Sequence, residues 1–130
     1  MTTFMRQPAV AGLFYPDIRS VLSRDLEGLL DQAKSHNLGG KLCGLISPHA
    51  GYMYSGLTAA TGYKTLMGNS FDTIVVVGPS HREYFDGISI YPGDGYETPL
   101  GPVLMNDEIR SQLVSFHEKI MLSTIGHRAE

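Results

Sequence analysis

Two histidines carry the chemistry that this sequence offers. His49 lies in "LISPHAGYMYSG", Leu45–Gly56, and His81 closes "TIVVVGPSH", Thr73–His81. Each follows a short apolar run, and each has Pro and Ser immediately before it. A neutral imidazole ligates zinc, copper or iron at a metal–nitrogen distance of roughly 2.1 Å. A lone histidine in a Pro/Gly loop usually does no more than hydrogen-bond a turn. Two in equivalent surroundings point to a shared site. A catalytic metal centre generally takes three protein ligands and keeps one position open. Asp86, Glu97 and Cys43 are the local candidates for the third. Asp86 reads equally well as a turn residue at the start of a strand, and Cys43 is expected to pack in the core.

The surroundings of the pair suit a ligand. Tyr52, Tyr54, Tyr84, Tyr91 and Tyr96 crowd the two motifs and would wall a pocket for an aromatic or peptide substrate. Taken singly, each would serve as an ordinary half-buried tyrosine at a loop edge. Arg82 beside His81 offers an anion contact, although a solvated loop charge is the plainer reading. Ser80 also adjoins His81, but adjacent side chains rarely face each other and no GxSxG elbow surrounds it, so a serine hydrolase is a weak reading. "GDGYETPLG" lacks the strand–GxGxxG–helix setting of a dinucleotide loop, and neither HExxH nor a P-loop is present. His36 and His117 read as surface residues near helix ends. Pattern does not decide the role of His127.

Strands and helices must hold these residues in place. "KLCGLIS", Lys41–Ser47, and "TIVVVG", from Thr73, read as buried strands, the second apolar on both faces as in a covered parallel sheet. A helix capped by Ser55 and running to about Leu66 lies between them, which makes a βαβ unit with a right-handed crossover. On this reading both histidines sit just past the carboxyl ends of parallel strands about 4.8 Å apart, where open α/β sheets bind ligands. An earlier helix starts at Asp17 and buries Val21, Leu22, Leu26, Leu29, Leu30 and Ala33. Asp86–Gly93 and Lys119–Thr124 read as further strands, "YETPLGPVLMN" as an irregular segment, and Asn106 as the cap of a third helix. The expected fold is therefore α/β, a mostly parallel sheet with flanking helices, in one domain over residues 1–130.

Composition narrows the function classes. The 130 residues are 42% hydrophobic with a formal charge of −3, enough for one packed domain. No Lys/Arg run suggests nucleic acid or a membrane surface as partner. The single cysteine excludes an internal disulfide and suits a reducing cytoplasmic setting. The opening residues do not form a signal peptide, and no apolar stretch is long enough to span a bilayer.

Together "QPAVAGLFYP", "LISPHAGYMYSG", "VVVGPSHREYFDGISIYPGDGYETPLGPV" and "GHRAE" resemble the Memo-like family. Its microbial members are called AmmeMemoRadiSam system protein B, and its animal member is the mediator of cell motility. The resemblance implies a fold like that of the LigB-like class III extradiol dioxygenases. It implies iron or copper, Fe(II) first, held by His49 and His81, and redox or dioxygenase-related chemistry. Tyr52, Tyr54, Arg82 and Tyr96 are the substrate-binding residues expected on this reading. The alternative is a metal-independent module that binds a peptide or phosphorylated ligand. Family members are about twice as long, so the chain resembles the N-terminal half of that domain. The third metal ligand is then expected outside it, the metal is not necessarily retained, and an exposed sheet edge invites self-association.

Overall fold

A computed structural model describes residues 4–36 and 38–130. The described residues form an α/β fold with two compact units. One is Ala11–Asp72. The other joins residues 4–10 to Thr73–Glu130.

The Ala11–Asp72 unit is a helix pair. Helix α1 spans Arg19–Gln32 and α2 spans Tyr52–Lys64. The apolar stripe of α1 buries Leu22, and Ala33 is buried just past its end. Small residues on α2 let the two helices meet. Ala60 is buried, and a Cβ added at Gly56 would lie 3.0 Å from Leu29 Cδ1. Lys64 then closes the pair, its Nζ donating to the carbonyls of Leu30 at 2.8 Å and Ala33 at 2.9 Å. A cation there satisfies carbonyls that the end of α1 leaves without helical partners. The starts differ from expectation. Ile18, not Asp17, occupies the N-cap of α1 and makes no side-chain cap bond. Gly51, not Ser55, caps α2, because the Phe14 carbonyl accepts the Tyr52 amide at 2.9 Å and allows the helix to begin early. Ser55 instead bonds the Ala50 carbonyl at 3.1 Å.

The other unit holds the strands. Strands β1 (Met5–Arg6), β2 (Ile88–Ile90), β3 (Gly95–Tyr96), β4 (Val103–Leu104) and β5 (Ile120–Leu122) flank helix α3 (Asp107–Phe116). β1 pairs with β3 in parallel, with Met5 opposite Gly95 and Arg6 opposite Tyr96. β3 turns back antiparallel to β4 through a turn in which Thr98 and Gly101 exchange backbone bonds of 3.2 and 2.9 Å. The segment read as irregular is thus a short hairpin. β2 and β5, both expected, pair in parallel with Ile88 opposite Ile120. Asn106 caps α3 as expected, its side chain accepting from the Ile109 amide at 3.1 Å.

The two expected strands nearest the histidines do not form. Residues 41–47 and 73–78 belong to no strand among the described residues. Residues 73–78 are exposed, Val76 and Val77 by 88% and 86%, and so are most of residues 41–47, Ile46 fully, while Leu42 and Ser47 are half-buried. β-branched sequence favours a pleated, half-buried surface, but a strand also needs a neighbour for its N–H and C=O groups. Among the described residues neither segment is paired as a strand, and His49 and His81 lie on loops. Cys43 is exposed as well, not packed in a core.

Candidate functional site

His81 sits in a turn whose backbone and side chains close on one carboxylate. Ser80 Oγ donates to the Glu83 carbonyl at 2.7 Å and accepts the Glu83 amide at 3.3 Å. This tightens residues 80–83 and turns two successive amides in one direction. The amides of His81 and Arg82 both donate to Glu130 Oε1, the second at 2.9 Å. Glu130 Oε2 lies 2.9 Å from His81 Nδ1. Successive amides aimed at one anion make a nest of the kind that binds carboxylates and phosphates. Burial pushes the Glu130 carboxyl up, but the bonds from the His81 ring and from the two amides outweigh it and hold the group below its ordinary range. The same bonds commit the Ser80 hydroxyl to its turn, which removes it as a nucleophile.

The segment carrying Glu130 is anchored in turn. Gly126 N donates to Glu83 Oε2 at 2.7 Å, and the Arg6 guanidinium donates to the main-chain oxygens of His127 and Glu130. Arg6 also lies 5.4 Å from the centroid of the Tyr96 ring, a cation–π distance. His127 is bonded at both nitrogens. Its Nε2 lies 3.2 Å from the Ser89 carbonyl and its Nδ1 3.1 Å from Tyr96 Oη. A carbonyl only accepts, so Nε2 carries the proton and Nδ1 accepts from Tyr96. Buried Tyr91 packs against both rings, at 5.3 Å from Tyr96 and 5.8 Å from His127. Burial lowers the His127 pKa, with Arg6 acting the same way and the Ser89 bond and Glu83 opposing. Burial raises the Tyr96 pKa, which Arg6 opposes and Tyr91 reinforces.

In the Ala11–Asp72 unit, Tyr52 opens α2 and its ring lies 5.7 Å from that of Tyr15. Burial raises its pKa, helped by Tyr15 and Tyr63. The pair borders a cavity of about 630 Å³ whose wall includes Phe14, Arg24, Leu29 and Met53. Tyr54 and His49 are exposed. Of the expected site residues, His49, Tyr52 and Tyr54 therefore belong to one unit, and His81, Arg82 and Tyr96 to the other.

The donor set was tested against a metal ion. Among the described residues no group of three His, Cys, Asp or Glu side chains is placed to hold one. Asp86 is instead paired with Lys119 at 2.9 Å on the surface. An imidazole has suitable ligand chemistry, but the described residues complete no such centre. Sequence reasoning missed Glu130, Arg6 and His127. The only signal for the first and last was "GHRAE" as a family pattern. Nothing in spacing alone ties residue 6 to residue 130.

The Memo-like protein family model matches residues 6–130. A MEMO1 family protein of Thermoplasma volcanium is 34% identical over 126 residues, 97% of this chain and 46% of the relative. One from Pyrococcus abyssi is 33% identical, covering 97% of this chain and 43% of the relative. One from Aquifex aeolicus is 36% identical over 112 residues, 86% and 40% of the two chains. The chain spans about half the length of the curated relatives it matches.

Proposed function

This chain belongs to the Memo-like protein family, and from that premise we propose that it is a metal-binding protein with His49 and His81 as imidazole ligands to Fe(II) or copper. The observation that carries this reading is the placement of both histidines. Each is exposed on a loop within the matched region, a position compatible with ligation of an ion. A bound ion of this kind supplies Lewis-acid and redox chemistry of the type used by non-haem oxidoreductases. This chain's own residues bind and orient. The Ser80–Glu83 turn fixes the backbone at His81, and Tyr52, Tyr54, Arg82 and Tyr96 contribute to substrate binding. A reducing cytoplasm suits Fe(II) and the exposed thiol of Cys43. No helix among the described residues is long and apolar enough to cross a membrane.

Anaerobic Fe(II) titration tests the reading. A version extended to the length of the relatives is expected to bind the ion, and His49→Ala and His81→Ala in it each to lose stoichiometric binding. Metal content unchanged in both variants would sink the assignment. The second reading is a metal-independent module for a small-molecule, peptide or phosphorylated ligand. The cavity beside Tyr52, about 630 Å³, favours it, since that volume lies in the range of small-ligand sites. Affinity for a tyrosine-phosphorylated peptide that survives chelation, and drops with Arg24→Ala in the cavity wall, would put this reading first.

A further inference from the structure

We infer that a cavity between β1 and the segment after β5 is a binding site for a small aromatic carboxylate, an inference that does not depend on the metal-binding reading. Its volume is about 300 Å³, and its wall includes Phe4, Arg6, Tyr91, Thr124, His127 and Arg128. All six belong to one compact unit. That volume is at the small end of the range for ligand sites, which suits a single ring with a short substituent. One side of the wall is aromatic. Phe4 and Tyr91 are stacked, with centroids 6.0 Å apart and an interplanar angle of 20°, and Tyr91 packs on His127 at 5.8 Å. A third flat ring extends such a stack. The charge is of one sign. The wall holds two guanidinium groups and no Asp or Glu. Asp94, which accepts the Phe4 amide at 2.6 Å, is not part of it. Among the described residues neither arginine pairs with an Asp or Glu side chain. Arg6 donates through Nε and Nη2 to main-chain oxygens of His127 and Glu130, and Arg128 through the same two atoms to Thr124 Oγ1 at 3.3 and 3.0 Å. Nη1 of each is left for an incoming acceptor. Arg6 is half-buried and held over the Tyr96 ring, so its fork is ordered before a ligand arrives, which lowers the cost of binding. A guanidinium fork matches a planar carboxylate. His127, bonded at both nitrogens, adds a ring face.

Benzoate is the probe, and nitrogen-15 NMR of the 130-residue chain is the readout. A titration at about pH 7.5, where the histidine ring is neutral, is expected to shift the amides of residues 4–7, 91 and 124–128 along a saturable curve. Benzamide keeps the shape and loses the charge, and acetate keeps the charge and loses the ring. Each is expected to bind roughly tenfold more weakly than benzoate. Arg128 and Phe4 are exposed, so both can be changed without opening the core. Arg128→Gln is expected to weaken benzoate by about tenfold. Phe4→Leu is expected to weaken benzoate and to leave acetate as it was. Shifts that stay linear to the highest concentration, or that map to other residues, overturn the inference. Benzamide or acetate binding as tightly as benzoate overturns it too, and so does unchanged benzoate affinity in Arg128→Gln.

Discussion

His127 shows what a histidine does when the fold uses both of its nitrogens. It donates to the Ser89 carbonyl, accepts from Tyr96, and packs on Tyr91. Burial holds its folded pKa below the ordinary value of 6.5. The unfolded chain therefore takes up a proton, as pH falls through about 6.5, that the folded chain resists. Stability from this group is complete above that pH and declines below it. Urea midpoints at about pH 8 and about pH 5.5 are expected to differ in that direction, and His127→Gln to flatten the difference. An equal slope in the variant would show that another group sets it. Glu130 acts in the same direction at lower pH. Its lowered carboxyl adds stability above the usual carboxylate range and loses it as pH falls through that range. At this scale the sequence was partly readable. The Pro–Ser–His spacing singled out His49 and His81, because ligand chemistry is written in residue type. The partner of His81 was not readable because it lies 49 residues away in the chain, and the role of His127 because its partners Ser89 and Tyr96 lie 38 and 31 residues away.

The elements whose partners are local were legible. α1 and α3 follow from apolar periodicity, and the Asn106 cap follows from residue type. β2 and β5 were found because each is a compact apolar run that pairs within its own unit. Residues 41–47 and 73–78 had equally strong strand composition and failed, since composition cannot supply a hydrogen-bonding neighbour. β1, two residues long, gives no periodicity to detect. Glycine provides a test at this scale with opposite signs at two positions. Gly28 lies inside α1 with open space around it, so Gly28→Ala is expected to stabilise by about 0.5–1 kcal/mol. Gly87 has φ of +99°, and a Cβ there would run into the Lys119 carbonyl, just where β2 meets β5. Gly87→Ala is expected to destabilise by about 1–3 kcal/mol. Urea denaturation of the two variants beside wild type decides both, and the same sign for the two would contradict this account.

At the scale of the molecule, the buried apolar set among the described residues is small, with Leu22, Ala33 and Ala60 in one unit and Tyr91 in the other. Large apolar side chains meanwhile stand in water, among them Ile46, Val76 and Val77. An uncharged, β-branched run without proline, free to pair, is a self-association hazard. We propose that the chain associates with itself through residues 73–78. Sedimentation velocity is expected to show a concentration-dependent rise in mass that Val76→Lys suppresses. A wild-type chain that stays monomeric across the series would rule this out.

Arg6 reaches across 121 residues to the oxygen of His127 and across 124 to that of Glu130. During synthesis Arg6 leaves the ribosome well before its two acceptors, which follow more than a hundred residues later. The α1–α2 pair has all its closing bonds within a short span and can form while the chain is still growing. The unit that carries His81 has to wait, because such long-range closure carries the larger entropic cost and comes late. The nest at His81 therefore cannot close before residue 130 has emerged, and any pause short of it leaves that turn without its carboxylate.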